Sequence, residues 1–273
     1  MLPVCYDPYA GTLGKFTRSE IFELVSKGGY EGINIPVNNA FLGDLSQGEI
    51  DDMKKLVDKY NLTVPTVGFG NHILTAPDLK SGAFEHFEIV LDVAQQIDAD
   101  IIGIWPNPTQ NASREESLET LAENLYKICP ILAENNLIIT IEFEKGCPID
   151  NYRDGITFIQ DTQLPVRLTC DTYHLFNDNV DPYKSVLEMG DFIGDAHISG
   201  SHRGEPGTGE FDFDSFAFGL KEIGFIGPLV VQYKMEDVGS ISRSCMFAQK
   251  LKEQIICKEN ENGNSALCCI SFK

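Results

Sequence analysis

The chain has 273 residues, 42% of them apolar, which is enough for one large core. It carries 41 acidic and 21 basic side chains, a formal charge of −20 that repels nucleic-acid phosphates and argues against nucleic acid as a partner. No apolar run approaches the roughly 20 residues of a membrane span and no basic-then-apolar leader is visible, so no membrane association and a cytoplasmic location are the expectation.

Short β-branched runs alternate with stretches of helical period along the chain. Residues 2–6 read as a first strand. Thr17-Arg18-Ser19-Glu20 is a capping box for a helix that ends at Gly28-Gly29. Residues 32–37 read as a second strand, and Ser46-Gln47-Gly48-Glu49 as a second capping box before Ile50, Met53 and Val57. Strands follow at 64–69 and 101–105, separated by a helix carrying Phe84, Phe87, Val90, Leu91 and Ala94. Ser113-Arg114-Glu115-Glu116 caps a helix bearing Leu118, Leu121, Leu125 and Ile128, which Pro130 should kink or end. The second half continues with strands at 137–141, 166–170, 192–196 and 229–233, each followed by a helix. Eight such units predict an α/β fold, a closed (β/α)₈ TIM barrel forming a single domain over residues 1–257. An open doubly wound sheet is the structural alternative, weakened by the lack of a G-x-G-x-x-G after the first strand. Residues 258–273 read as a polar, loosely ordered tail. Eight cysteines occur without any Cys-x-x-Cys pair, so buried reduced thiols are expected rather than structural zinc.

Four of these strands run into polar residues. The run 137–141 meets Glu142, 166–170 meets Asp171, 192–196 meets His197, and 229–231 meets Gln232. In a barrel the strand C-termini and the loops beyond them form the active face, so these four side chains should converge on one rim. Two carboxylates, an imidazole and an amide oxygen suit a divalent metal, Mn²⁺ first and Mg²⁺ or Co²⁺ as alternatives. Trp105, at the end of its strand, is placed to stack on a sugar ring, with packing against the neighbouring loop as the equal alternative. His72 could line the pocket, whereas His86 reads as helix surface and His202 as solvent-facing.

Around these residues the chain resembles the xylose isomerase-like TIM barrel superfamily of sugar isomerases and epimerases, which also holds the AP endonuclease 2-like proteins. It is most similar to the ketose 3-epimerase branch. Three features carry the resemblance: Glu142, the run Cys170-Asp171-Thr172-Tyr173-His174, and the segment from His197 through Arg203 and Pro206-Gly207-Thr208-Gly209 to Asp212. The resemblance implies that Glu142, Asp171 and His197 bind a divalent metal, that His174 and Arg203 hold the hydroxyls or oxyanion of a bound sugar, and that Gly207 and Gly209 shape the loop. It implies a small carbohydrate substrate and leaves a homo-oligomer open, since related barrels often pair.

The chain departs from the family at two positions. Gln232 stands where a second glutamate usually binds metal and moves a proton, and Lys145-Gly146-Cys147-Pro148 occupies a loop that carries a further glutamate in the epimerase branch. Chemistry of this class removes a proton next to a carbonyl and passes through an enediolate. Epimerisation returns a proton to the opposite face and needs a second acid–base group, which an amide cannot supply. Glu142 is then the catalytic base. Glu144 should point to the other face of its strand, and Glu236 is a distant substitute. The expected function is a metal-dependent isomerase or epimerase of a small carbohydrate. Alternatives are a dehydratase of a keto-sugar or keto-cyclitol, and a non-catalytic carbohydrate-binding barrel. A nuclease is disfavoured by the charge and by a total of five histidines.

Overall fold

A computed structural model describes residues 2–9, 11–70, 73–109 and 111–256. His72 and the tail 258–273, both singled out in the sequence, lie outside the described residues.

Nine parallel strand segments form one sheet: β1 (Val4–Tyr6), β2 (Gly32–Ile33), β3 (Ile35–Pro36), β4 (Thr66–Gly68), β5 (Ile101–Ile104), β6 (Ile138–Glu142), β7 (Val166–Asp171), β8 (Ile193–Ile198) and β9 (Leu229–Val231). The order β2-β1-β9-β8-β7-β6-β5-β4-β3 runs round a barrel. Its two ends, β2 and β3, are halves of one extended segment broken at Asn34, so the expected 32–37 strand is the stave that closes the ring. This is the predicted single-domain (β/α)₈ TIM barrel, not an open sheet. The strands are buried almost throughout, as parallel strands covered by helices must be.

The helices follow the predicted rhythm: α1 (Arg18–Gly28), α2 (Asn39–Leu42), α3 (Gln47–Tyr60), α4 (Lys80–Gln96), α5 (Arg114–Glu134), α6 (Tyr152–Thr162), α7 (Thr172–Asn177), α8 (Pro182–Met189), α9 (Phe213–Glu222) and α10 (Ser240–Ile256). The capping boxes at Thr17–Glu20 and Ser113–Glu116 form in full. The one at Ser46 does not: Glu49 is drawn instead into a 2.6 Å ion pair with Arg18, and Ser46 makes no side-chain cap. Pro130 neither kinks α5 to an end nor stops it; the helix continues to Glu134. Leu125, Ile128, Cys129 and Leu132 bury that turn on both sides of the exposed proline, and this packing outweighs the lost hydrogen bond. The five described cysteines are buried and free, as expected.

One irregularity shapes the interior. Between β7 and β8 the register jumps: Leu168 pairs with Ile193, but Thr169 pairs with Asp195 and Asp171 with His197. Gly194 is the extra residue of this bulge, and a Cβ there would run into the Thr140 and Arg167 side chains. Leu168 packs outward against Gly155 of α6, so Ile193 faces the helices too. The bulge then turns Asp195 and His197 to the inner face beside Thr169 and Asp171.

Candidate functional site

β6, β7 and β8 deliver Glu142, Asp171 and His197 to the carboxyl-terminal mouth of the barrel. One ligand-type atom from each lies within 4.8 Å of the others, so the three sequence-predicted residues meet. β8 runs through Ile198 rather than stopping at 196, and His197 is therefore a strand residue fixed by ladder pairing with Asp171 and Val230. Asp171 is fully buried, and its carboxylate also caps α7 by accepting the Tyr173 N–H at 2.8 Å. That short helix, unforeseen in the sequence, directs the buried His174 back at Glu142, with Nε2 3.2 Å from Oε1.

Arg203 comes from the loop after β8. Its guanidinium bridges the two carboxylates, pairing with Asp171 Oδ2 and lying 3.2 Å from Glu142 Oε1, and it sits 5.0 Å over the Tyr173 ring. Arg203 adopts φ +58°, a left-handed conformation rare for non-glycine residues. Hydrogen bonds from its N–H to Gly200 O and from Lys234 N–H to its carbonyl hold it there. Gly207 and Gly209 take φ +84° and +82°, consistent with the predicted loop-shaping role.

A cavity of about 120 Å³ opens beside this cluster, lined by Glu142, His197, Gln232 and Trp105, and across from them by Asp7, Asn34, Pro36 and Phe69. Gln232 is 6% exposed and anchored by its N–H to Ile198 O. Glu144 and Glu236 are absent from this lining, and Glu236 is exposed. His202 is solvent-exposed as expected, but His86 is not plain helix surface. Its Nε2 lies 2.6 Å from Phe69 O and its ring packs on Phe69, which steadies that wall of the cavity.

The charges are coupled. Burial works against ionisation of Glu142, yet the His174 contact and the positive charges of His197 and Arg203 hold its carboxyl well below the usual range. Burial also opposes a charged His174, and the facing Asp171 and Glu142 overcome it and raise that imidazole. For His197, burial is again outweighed, by Asp195, Glu142 and Asp171, and the ring is pushed up to about 9. Its Nδ1 is buried, has no hydrogen-bond partner and lies 3.9 Å from Asp171 Oδ2. An orphaned imidazole nitrogen beside two convergent carboxylates is a donor set that fits a divalent cation.

Sequence reasoning missed Asp195. It is buried on β8, lines the cavity, and faces His197 Nε2 at 3.4 Å. The available signal was an acidic residue two positions before His197 inside an otherwise apolar run. Asp7 and Asn34 were also missed. Asn34 donates to Asp7 Oδ2 at 3.3 Å; Asp7 follows β1, and Asn34 is the break between β2 and β3, inside what reads as one strand.

A parallel barrel with two carboxylates and an imidazole clustered at its mouth defines the class: a TIM barrel whose mouth carries a group of side chains that could hold a metal ion. Residues 22–253 match the family described as xylose isomerase-like TIM barrel, and the chain belongs to that family. It is 33% identical over 136 residues to L-ribulose 3-epimerase of Methylomonas sp. (strain DH-1), covering 48% of this chain and 46% of that protein. That match spans under half of the relative's length. D-psicose 3-epimerase of Agrobacterium fabrum is 21% identical over 267 residues, covering 92% and 91% of the two chains. The crystal structure of D-psicose 3-epimerase with D-tagatose from Clostridium cellulolyticum H10 superposes with a TM-score of 0.77 at 17% identity, over 94% of this chain and 100% of that one, and shares its fold.

Proposed function

We propose that this protein is a divalent-cation-dependent isomerase or epimerase of a small, unphosphorylated carbohydrate. The observation that carries the reading is the convergence of Glu142, Asp171 and His197 within 4.8 Å at the mouth of a barrel of this family. Epimerase names among its relatives support it.

Glu142, Asp171 and His197 would hold the cation, with the Gln232 amide oxygen as a fourth neutral donor. When bound, a divalent ion polarises a carbonyl and offsets developing oxyanion charge. Glu142 takes the proton from the carbon next to the carbonyl and so generates the enediolate. Arg203 and His174 stand outside the cavity lining, and both contact Glu142 and fix its orientation. Trp105 offers an apolar face to the sugar, and among the described residues no Lys or Arg lines the cavity to receive a phosphate. Gln232 can neither give nor take a proton, so Glu142 is the base through which exchange runs. The dehydratase and the non-catalytic barrel gain no specific observation from the site. Manganese is the preferred ion on donor chemistry.

The test is a panel of ketoses incubated in deuterated water with Mn²⁺ or Co²⁺. Deuterium at carbon 3 is the expected result for an epimerase, and at carbon 1 or 2 for an aldose–ketose isomerase. Glu142→Gln should lower exchange by about 10²–10⁴-fold. A wild-type protein that exchanges no carbon-bound proton from any member of the panel sinks the proposal.

A further inference from the structure

Behind His197 lies a carboxylate that the chemistry above does not use. The Asp195 side chain is 1% exposed, and neither of its oxygens has a hydrogen-bond partner. His197 Nε2 lies 3.4 Å from Oδ2, the spacing of an ion pair rather than of an aligned hydrogen bond. Removing a carboxylate from water with so little compensation costs several kcal/mol, so its place on the cavity wall calls for a reason. The fold positions it actively. Without the bulge at Gly194, Asp195 would share the outward face of Ile193.

The two ring nitrogens of His197 look in different directions. Nε2 faces Asp195, and Nδ1, buried and unpartnered, lies toward Asp171 and the gap bounded by Glu142. A carboxylate can only accept. In a cation-ligating, neutral imidazole the single proton therefore stays on Nε2, and Nδ1 presents its lone pair to the gap. Charge points the same way. Gln232 is neutral, so the mouth has two carboxylates in the cluster itself, and Asp195 adds a third negative charge from one layer down.

We propose that Asp195 is a positioning residue of the cation site: it fixes the Nε2–H tautomer and the ring orientation of His197 from behind, and it strengthens cation binding with a third carboxylate charge. This inference rests on the cation-dependent reading of the site. Asp195 stands outside the cluster of Glu142, Asp171 and His197. It acts through His197, as an outer carboxylate does on a ligating imidazole.

The test is Mn²⁺ titration of the full chain, followed by electron paramagnetic resonance, for wild type, Asp195→Leu, Asp195→Asn and the double variant Asp195→Asn/Gln232→Glu. Asp195→Leu removes charge and acceptor together and is expected to weaken Mn²⁺ binding by about 10–100-fold. Asp195→Asn keeps an acceptor oxygen and is expected to lose less. Adding Gln232→Glu to it returns a carboxylate to the site and should recover affinity; the readout that a merely structural role for Asp195 would not move is the protonation pattern of the His197 ring. In the Mg²⁺-loaded wild type, ¹⁵N spectra should show His197 protonated at Nε2 and bare at Nδ1. The near-isosteric Asn variant and this spectrum carry the test if the Leu variant does not fold. Wild-type affinity in both single variants, or a His197 proton on Nδ1, overturns the positioning role. No recovery by Gln232→Glu overturns the charge contribution. A wild type that binds neither Mn²⁺ nor Co²⁺ overturns the proposed function as well, and so is told apart from a failure of Asp195 alone.

Discussion

Gln232 is the residue on which the proposed chemistry turns. It lines the cavity with Glu142 and His197, and an amide can offer an oxygen lone pair but does not transfer a proton as a carboxylate does. A carboxylate at the same place would add both a negative charge for the cation and a second acid–base group facing Glu142. Gln232→Glu is therefore expected to bind Mn²⁺ more tightly and to raise the rate of 3-epimer formation by about 10²-fold or more, the usual contribution of one positioned acid–base group. Isothermal titration and chromatographic separation of the epimers measure the two effects. If neither moves, position 232 does not govern proton return.

Elements decide how such residues are presented. The Gly194 bulge aims Asp195 and His197 inward, α7 returns His174 to Glu142, and the loop between β8 and α9 carries Arg203 to the carboxylates. Elsewhere an element carries a residue that its own propensity rejects. Pro130 sits in an exposed turn of α5, where it removes an i→i−4 hydrogen bond and crowds the preceding turn. Pro130→Ala restores that bond without touching the buried face. It should stabilise the protein by about 1–3 kcal/mol, read as a higher urea midpoint with an unchanged m-value. An unchanged or lower midpoint would mean that α5 depends on the proline's local geometry.

At the scale of the molecule, Glu31 ties α10 to the first strand of the closed ring. It accepts the Val4 N–H at 2.8 Å and pairs with Lys252 of α10 at 2.8 and 2.9 Å. Burial pulls the Glu31 carboxyl upward, but Lys252 and the Val4 N–H outweigh it and leave it lowered. A carboxylate lowered on folding stabilises above its unfolded pKa, about 4.3, and that stability is lost as pH falls through the lower folded value. Glu31 is 39% exposed, so solvent screening limits its effect to about 1 kcal/mol or less. Glu31→Gln should thus unfold at a lower temperature than wild type at pH 7, and the gap should close as the pH is taken below 4. A gap that persists in acid would assign the loss to packing rather than to charge.

Strand–helix alternation, two capping boxes and the polar residues ending the strands at 142, 171 and 197 were legible in the sequence, because hydrophobic period and cap chemistry are local properties. They determined the barrel and three members of the cluster. The orientation of Asp195 depended on a register shift between two strands, which no window of one strand contains. The fate of Glu49 depended on Arg18, 31 positions away, and that of Pro130 on core packing along both sides of its turn. The wall formed by Asp7 and Asn34 exists only once β1 and the broken closing strand lie side by side. The sequence by itself determined that Glu142, Asp171, His197 and Gln232 reach the mouth of the barrel. The tertiary structure alone decided which atoms of those side chains face one another, because that depends on strand register and closure, set by contacts between segments far apart in the chain.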